Sequence, residues 1–415
     1  MKKVLALLAV MAIFASASFA QFKNASFGLQ GQIYAVNNSG FNFPLGGNAG
    51  ATTYFNVGTL GFDVANNVKA ALGIFIGGAS GDAQLLGFTA NQYLNLLRVV
   101  EANITLSQLG IDGLSAKIGR QYYGDANSPM IFIGARSFHQ FGQYDVTSID
   151  ALTLNYKKDN VAVKAIYGDL SNAPGDQIYG VEGKLSKIAD LVDVTAYIYD
   201  AKVGPTFLLL GLGVAPKNML YAGIKPEVKI AGLSAAVEFI AQMGYVDGIF
   251  GSQDRANSTN LIKVDVAYDL KDVAGIALTP RATYFAAGGL DTKAPLGRTF
   301  TSMGNYMPGL LVGGTFFDRG FVQYINTRVI NLGADYKYDQ YVFSADYFLF
   351  AARNHFNVFS GNSSGELDLK AVYNYTSNIQ IFAAYGMGMP DLANRQAGMK
   401  FGTVSTAQAG VKYSF

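Results

Sequence analysis

Charged side chains recur two residues apart in this chain. Lys225, Glu227 and Lys229 do so, as do Glu182 with Lys184, Lys263 with Asp265, Asp335 with Lys337 and Asp368 with Lys370. In extended backbone successive side chains point to opposite faces, so each set shares one face of a strand. The positions between them are apolar or small: Val228, Gly183, Val264, Tyr336 and Leu369. The same reading adds Glu101, Lys117, Lys164, Glu238, Arg281 and Lys412 to the wet face, with Asn103, Asp193, Gln242, Asn331, Glu366 and Gln380 beside them. Both signs are interleaved. Such a wall holds water and sets no large barrier to neutral or zwitterionic solutes. Most of these charges are expected to solvate and brace the wall through neighbouring ion pairs. The one basic cluster, Lys225 to Lys229, is where a preference for anions is expected.

Bond-making chemistry finds little support. The only imidazoles, His139 and His355, fall in predicted loops, and a hydrolase needs its histidine fixed by a carboxylate or amide partner. Asp125 and Asp145 share a loop with His139, a nonspecific association. With Cys 0 there are neither disulfides nor thiolate metal sites. No metal-ligand spacing, phosphate-binding glycine loop or nucleic-acid patch is present, so no cofactor, metal or nucleic-acid partner is expected.

The elements that must carry the wet face are strands. At the end of the chain Ala407, Ala409, Val411, Tyr413 and Phe415 share one face, and Thr406, Gln408, Gly410, Lys412 and Ser414 the other. The first such segment sets Phe27, Leu29, Gly31, Ile33 and Ala35 against Ser26, Gln30, Gln32 and Tyr34. Others begin near Thr52, Val68, Tyr93, Leu114, Thr147, Val161, Gln177, Val192, Leu220, Ser234, Leu261, Ile276, Arg328, Tyr341, Glu366 and Ile379. The total is about 18 strands, an even number that brings both termini to one side of a membrane barrel. Short links fall at 65–67, 110–113, 157–160, 186–190, 230–232, 271–275, 339–340 and 375–377. Between them lie mostly longer ones, at 37–50, 76–92, 124–144, 201–218, 246–260, 287–327, 351–365 and 386–402, with a shorter one near 169–176. Strict alternation of short and long links is the asymmetry of periplasmic turns and extracellular loops.

Residues 1–20 read as a signal peptide: Lys2 and Lys3, an apolar run from Val4 to Phe14, and small residues up to Ala20. The run is too short to span a bilayer as a helix. Removing the two lysines from 31 basic residues leaves as many as the 29 acidic ones, so residues 21–415 are formally neutral. Hydrophobic residues make up 50% of the chain, yet past the signal no apolar stretch is long enough for a membrane helix. Gly 48, Tyr 25 and Phe 29 suit tight turns and interfacial aromatic girdles. A soluble barrel of this size would enclose an interior too wide for side chains to fill. A sandwich or propeller would bury the apolar faces, but no blade-length repeat is visible. The fold class is therefore all-β, a transmembrane antiparallel up-and-down barrel with its polar face inward. Strands begin soon after the signal, which leaves no room for an N-terminal plug.

Lys117-Ile118-Gly119-Arg120-Gln121, then Tyr123-Gly124-Asp125, Phe141-Gly142-Gln143-Tyr144 and Ile149-Asp150-Ala151-Leu152-Thr153-Leu154, is similar to the Gly-Arg-Gln, Tyr-Gly-Asp and Asp-x-x-x-Leu run of the alginate-export family of outer-membrane porins. The resemblance covers roughly residues 114–200. It implies an 18-stranded monomeric barrel, where general porins are commonly trimers. That family has Phe before the Asp where this chain has Ile149, and the arginine excess expected of an alginate pore is missing.

Two features sit apart from the pattern. Arg120 and Arg98 fall on the apolar face near the outer ends of their strands, where a charge costs little, and either marks a place for a local register change. The loops 124–144 and 287–327 are apolar, with Met130, Ile131, Phe132 and Ile133 in the first and Leu310, Phe316 and Phe317 in the second. Apolar loops in an aqueous space should fold back. They are expected either to dip into the barrel mouth as a constriction presenting Arg136, Arg298 or Arg319, or to form an external cap against lipopolysaccharide. The function so read is an outer-membrane porin, a water-filled channel for small hydrophilic solutes up to oligosaccharides. The alternative is a structural or adhesive barrel with a closed lumen and partner-binding loops. Outer-membrane lipid and lipopolysaccharide are the expected surroundings.

Overall fold

In the computed structural model the residues described are 23–39, 49–81, 84–85, 88–89, 96–125, 128–134, 148–170, 177–202, 216–246, 255–288, 300–302, 309–310, 322–324, 327–352, 364–389 and 403–415. Eighteen strands form one sheet. They are β1 (Lys23–Ser39), β2 (Ala49–Ala65), β3 (Val68–Gly81), β4 (Leu96–Ser107), β5 (Leu114–Gln121), β6 (Ile149–Lys158), β7 (Val161–Leu170), β8 (Gln177–Ile188), β9 (Val192–Lys202), β10 (Pro216–Ile230), β11 (Leu233–Val246), β12 (Arg255–Tyr268), β13 (Leu278–Ala287), β14 (Thr327–Tyr338), β15 (Tyr341–Ala352), β16 (Ser364–Thr376), β17 (Ile379–Met389) and β18 (Val404–Ser414). Each pairs antiparallel with its successor, and β1 pairs with β18 from Gln30↔Ser414 to Ser39↔Ser405. Closure removes both sheet edges, which is what a strand structure in lipid requires. Leu29 and Phe415 finish the seam with reciprocal backbone hydrogen bonds of 2.9 and 2.7 Å.

The short links are as tight as expected. Asn67, Asp159 and Asp339 turn the chain with φ of 63°, 51° and 52°, a left-handed conformation that Asn and Asp tolerate best after glycine. The link from β12 to β13 is a single helical turn, α1 (Lys271–Ala274). Several strands run further toward the long-loop end than alternation foretells: β10 starts at Pro216 rather than near Leu220, and β12 at Arg255 rather than near Leu261. At that end both faces carry polar residues, such as Asn218 and Asn257-Ser258-Thr259, so hydropathy does not mark the strand.

Side-chain alternation separates two faces. Along β6, Ile149, Ala151 and Thr153 are buried while Asp150, Leu152 and Leu154 are exposed. Leu97, Ile118, Val181, Ile198, Ile224, Phe239, Leu332, Leu369 and Ile381 continue the exposed apolar face around the cylinder. Which face is concave follows from contacts that skip a strand. Tyr197 on β9 reaches Glu238 on β11, and Arg281 on β13 reaches Asp346 on β15. Strands two apart are ~10 Å distant, so their side chains converge only on the inner side. The apolar face is outside. Residues 1–20, expected to be the signal, and His139, His355, Arg136, Arg298 and Arg319 lie outside the described residues.

Candidate pore lining

The inner wall changes character with height. In the half nearer the short turns the alternation places the charged residues read from sequence, and most meet a partner. Lys117 lies 3.5 Å from Glu101, Lys164 3.4 Å from Glu182, Lys225 3.2 Å from Glu227 and Lys263 2.8 Å from Asp265. Lys184 and Asp193 are 2.9 Å apart. Arg281 bridges two carboxylates, Asp335 at 3.1 Å and Asp346 at 2.6 Å. Lys229, Lys337, Lys370 and Lys412 stand exposed toward the turn end. The expected basic cluster on β10 is divided by Glu227, whose carboxylate sits on Lys225. The wall thus carries many charges and holds five of its lysines as neutral pairs, each of which interacts weakly at long range.

In the half nearer the long loops the wall from β6 to β15 is largely apolar, a departure from a uniformly polar interior, whereas β16 and β18 carry buried Glu366, Asp368 and Thr406 there. Ile149, Ile166, Ile178, Tyr199, Tyr221, Ile240, Leu261, Phe285 and Val329 are all buried there. What buries them is inward-folded chain from the long links. Tyr123, Met130, Ile131 and Ile133 belong to the same cluster, carried by a small ribbon that pairs Tyr123–Gly124 with Phe132–Ile133. The Tyr123 and Tyr199 hydroxyls are 3.0 Å apart, and Tyr199 donates on to Glu182 at 3.3 Å. From the second long link Phe300 sets its ring 6.2 Å from that of Tyr221, and the Leu310 N–H donates to Asp368 at 2.8 Å. The described parts of both loops fold back into the barrel. The wall's polar alternation gives way where it has loop residues to pack against.

One glycine makes a cross-wall contact possible. Gly223 on β10 lies between Tyr197 and Ile240 in register, and a Cβ there would fall 2.2 Å from the Tyr197 ring. Without it Tyr197 lies flat over β10 and donates to Glu238 at 2.7 Å, giving that buried carboxylate a hydroxyl donor.

The two outward arginines resolve differently. Arg120 stays on the apolar face and pairs with Asp150 through two hydrogen bonds of 2.9 and 2.7 Å, with a third to the Val99 carbonyl at 3.3 Å. Beside it, Gln121 turns inward, accepts from Thr153 at 3.1 Å and donates to the Ala151 carbonyl at 2.9 Å. Arg98 does not share the apolar face. The ladder between β3 and β4 steps from Gly73↔Glu101 to Ile74↔Val99, so Val100 is an extra residue and the alternation beyond it inverts. Arg98 then stands opposite Phe75, which is buried on the inner side.

This architecture has known counterparts. OccK5 (OpdH) of Pseudomonas aeruginosa matches with a TM-score of 0.61 at 11% identity, over 95% of this chain and 99% of that one. The outer membrane protein OpdK of the same organism gives 0.63 at 10% identity over the same shares, and its structure with vanillate gives 0.62 at 12%. OccK2 (OpdF) in complex with glucuronate gives 0.61 at 10%, over 95% of this chain and 98% of that one. At such identities the likeness is one of fold. No family model matches the chain, and no curated protein matches it in sequence.

Sequence reading missed Asp346, which shares its face with Ser344 and Phe348 and was masked by the aromatic run around it. It also left Tyr197 and Tyr199 unassigned, although both continue the parity of Asp193. Parity was the available signal; hydropathy pointed the other way.

Proposed function

We propose that this protein is an outer-membrane porin, a passive channel for small hydrophilic solutes. The observation that carries the reading is the closed 18-stranded barrel with apolar side chains outside and paired charges on the inner wall. A soluble protein gains nothing from a continuous exposed band of Leu, Ile, Phe and Tyr, whereas lipid accommodates it. Residues 1–20 are the export signal in this reading. Lipid and lipopolysaccharide surround the barrel, and Glu101, Lys117, Lys164, Glu182, Lys184, Lys225, Glu227, Lys229, Glu238, Lys263, Asp265, Arg281, Asp335, Lys337, Asp368, Lys370 and Lys412 line its bore. The inward-folded ribbon and the Phe300 and Leu310 segments narrow the long-loop half.

The solutes named with the similar structures, vanillate and glucuronate, are small carboxylates. Here five of the wall lysines are neutralised by adjacent acids, and further acids such as Glu238 and Asp346 share the wall, so weak discrimination by charge is the expected behaviour. The alginate-export resemblance gains one supporting contact, since Arg120 and Asp150 of its motifs meet as an ion pair. It carries barrel type and a monomeric state, not the alginate substrate. Planar-bilayer recording of the refolded chain tests the proposal. Stable open steps with a reversal potential near zero in a salt gradient are expected; silence from folded protein would favour the structural or adhesive barrel.

A further inference from the structure

Two carboxyl groups sit together beneath the inward-folded part of the second long link. Glu366 and Asp368 are two residues apart on β16, so they share its inner face, and they are only 1% and 7% exposed. One Asp368 oxygen accepts the Leu310 N–H at 2.8 Å. The other, Oδ1, meets no fixed donor, and the Glu366 carboxyl lies within hydrogen-bonding reach of Asp368. The turn Gly309–Leu310 closes over both groups. Gly309 has a φ of 80°, and a Cβ on it would fall 2.6 and 2.8 Å from the two Glu366 oxygens, so bare backbone is pressed against that carboxyl. The surroundings lend the pair little positive charge. Asp346 on β15 stands opposite Asp368 in the ladder, but it is held by Arg281 at 2.6 Å and by Asn331 at 3.0 Å, and Arg281 is further engaged by Asp335. Phe348 faces Glu366 from β15, Gly388 and Gly386 face the pair from β17, and Thr406 follows on β18, all uncharged. On β16 itself the next base is Lys370, exposed toward the turn end, with Lys412 on β18 further still.

Two like charges in contact at this depth cannot both be sustained, whereas a single shared proton supplies the donor that Asp368 Oδ1 otherwise lacks. We propose that Glu366 and Asp368 share a proton and so form a latch that holds the Gly309–Leu310 turn on the inner wall, and that withdrawing the proton releases the turn. With both groups ionised, the Leu310 N–H serves one carboxylate, but the other must reach water, and the backbone of Gly309 stands in its way. Lifting the turn relieves the conflict. The latch is therefore closed at acid pH and opens as pH rises. In the channel reading given above, on which this consequence rests, opening widens the bore at its long-loop end.

The test follows the turn and not the current. The chain has Cys 0, so Leu310→Cys accepts a single nitroxide label, and the contacts that hold the turn, made by its backbone, survive the substitution. In full-length protein refolded into vesicles, label mobility is recorded from about pH 5 to about pH 10, a span wide enough to protonate and to ionise a buried carboxyl pair. The label is expected to be restrained at the acid end and to gain mobility by about threefold or more at the alkaline end, reversibly. Glu366→Gln combined with Asp368→Asn keeps an amide donor and the acceptor for Leu310 but abolishes the titration, so the label should stay restrained throughout. Folding of each variant is checked by the migration of unheated samples in gels. Label mobility in the parent that does not change with pH, or the same gain in the folded double variant, overturns the proposal. Mobility that follows pH in protein that passes no current would support the latch and count against the channel reading alone.

Discussion

At the scale of the residue, small side chains decide what the larger ones can do. Tyr197 covers Glu238 only because Gly223 presents no Cβ beneath its ring. Gly223→Val must push the ring away, so the buried carboxylate loses its donor while the wall is overpacked. Each effect alone costs about 1–3 kcal/mol, and their sum is the expected loss of stability. Tyr197→Phe removes the hydroxyl alone and should cost less than Gly223→Val. Urea titration in lipid vesicles, read by gel mobility because the chain has Trp 0, compares the two. Equal losses would mean that steric crowding at Gly223 contributes nothing.

At the scale of the element, the barrel was legible and the exceptions to its pattern were not. Strict alternation of short and long links gave the strand number because a turn of two residues leaves the chain no other route than an antiparallel neighbour. Glu101, Lys117 and Lys164 could be placed on one face because nothing else interrupts their parity. The strand β4 defeated that logic at a single point. Val100 is an ordinary strand residue by type, and its role as a bulge is set by the partner ladder on β3, which no local pattern encodes. The tyrosines of β9 were obscured for a different reason: hydropathy equates apolar with lipid-facing, and here the apolar partner is chain folded back into the lumen. The bulge makes a distinguishing prediction. Deleting Val100 restores a continuous ladder while Arg98 and Glu101 keep their faces, at the cost of one buried side chain packed with Val57 and Phe75, about 1.5–3 kcal/mol. Deleting Ala102 instead drives Glu101 to the lipid side, at a cost that rises toward ~2 kcal/mol with depth. A Glu101→Cys thiol should therefore react with a water-soluble maleimide in the Val100 deletion and be shielded by lipid in the Ala102 deletion, and shielding in both would place the irregularity elsewhere.

At the scale of the whole molecule, the lumen divides into a charged half, where five lysines and Arg281 are held in ion pairs, and a half whose wall from β6 to β15 is largely apolar and packed against inserted chain. If the first half only hydrates the bore, resistance to flow resides in the second, where Tyr123, Met130, Phe300 and Leu310 take up cross-section. The second long link offers a clean way to ask. Its described segments Phe300–Ser302 and Val322–Tyr324 pair as a ribbon, so residues 303–321 can be replaced by a short glycine turn that still closes it. That deletion removes the Leu310 contact with Asp368 and leaves the eighteen strands untouched. Single-channel conductance should then rise by about twofold or more, because current through a narrow bore is set by its tightest section. Ion selectivity should hardly move, since the paired charges remain. Conductance equal to that of the parent would mean that the inserted segment lines the wall without narrowing it, and the constriction would have to be sought in the ribbon around Tyr123.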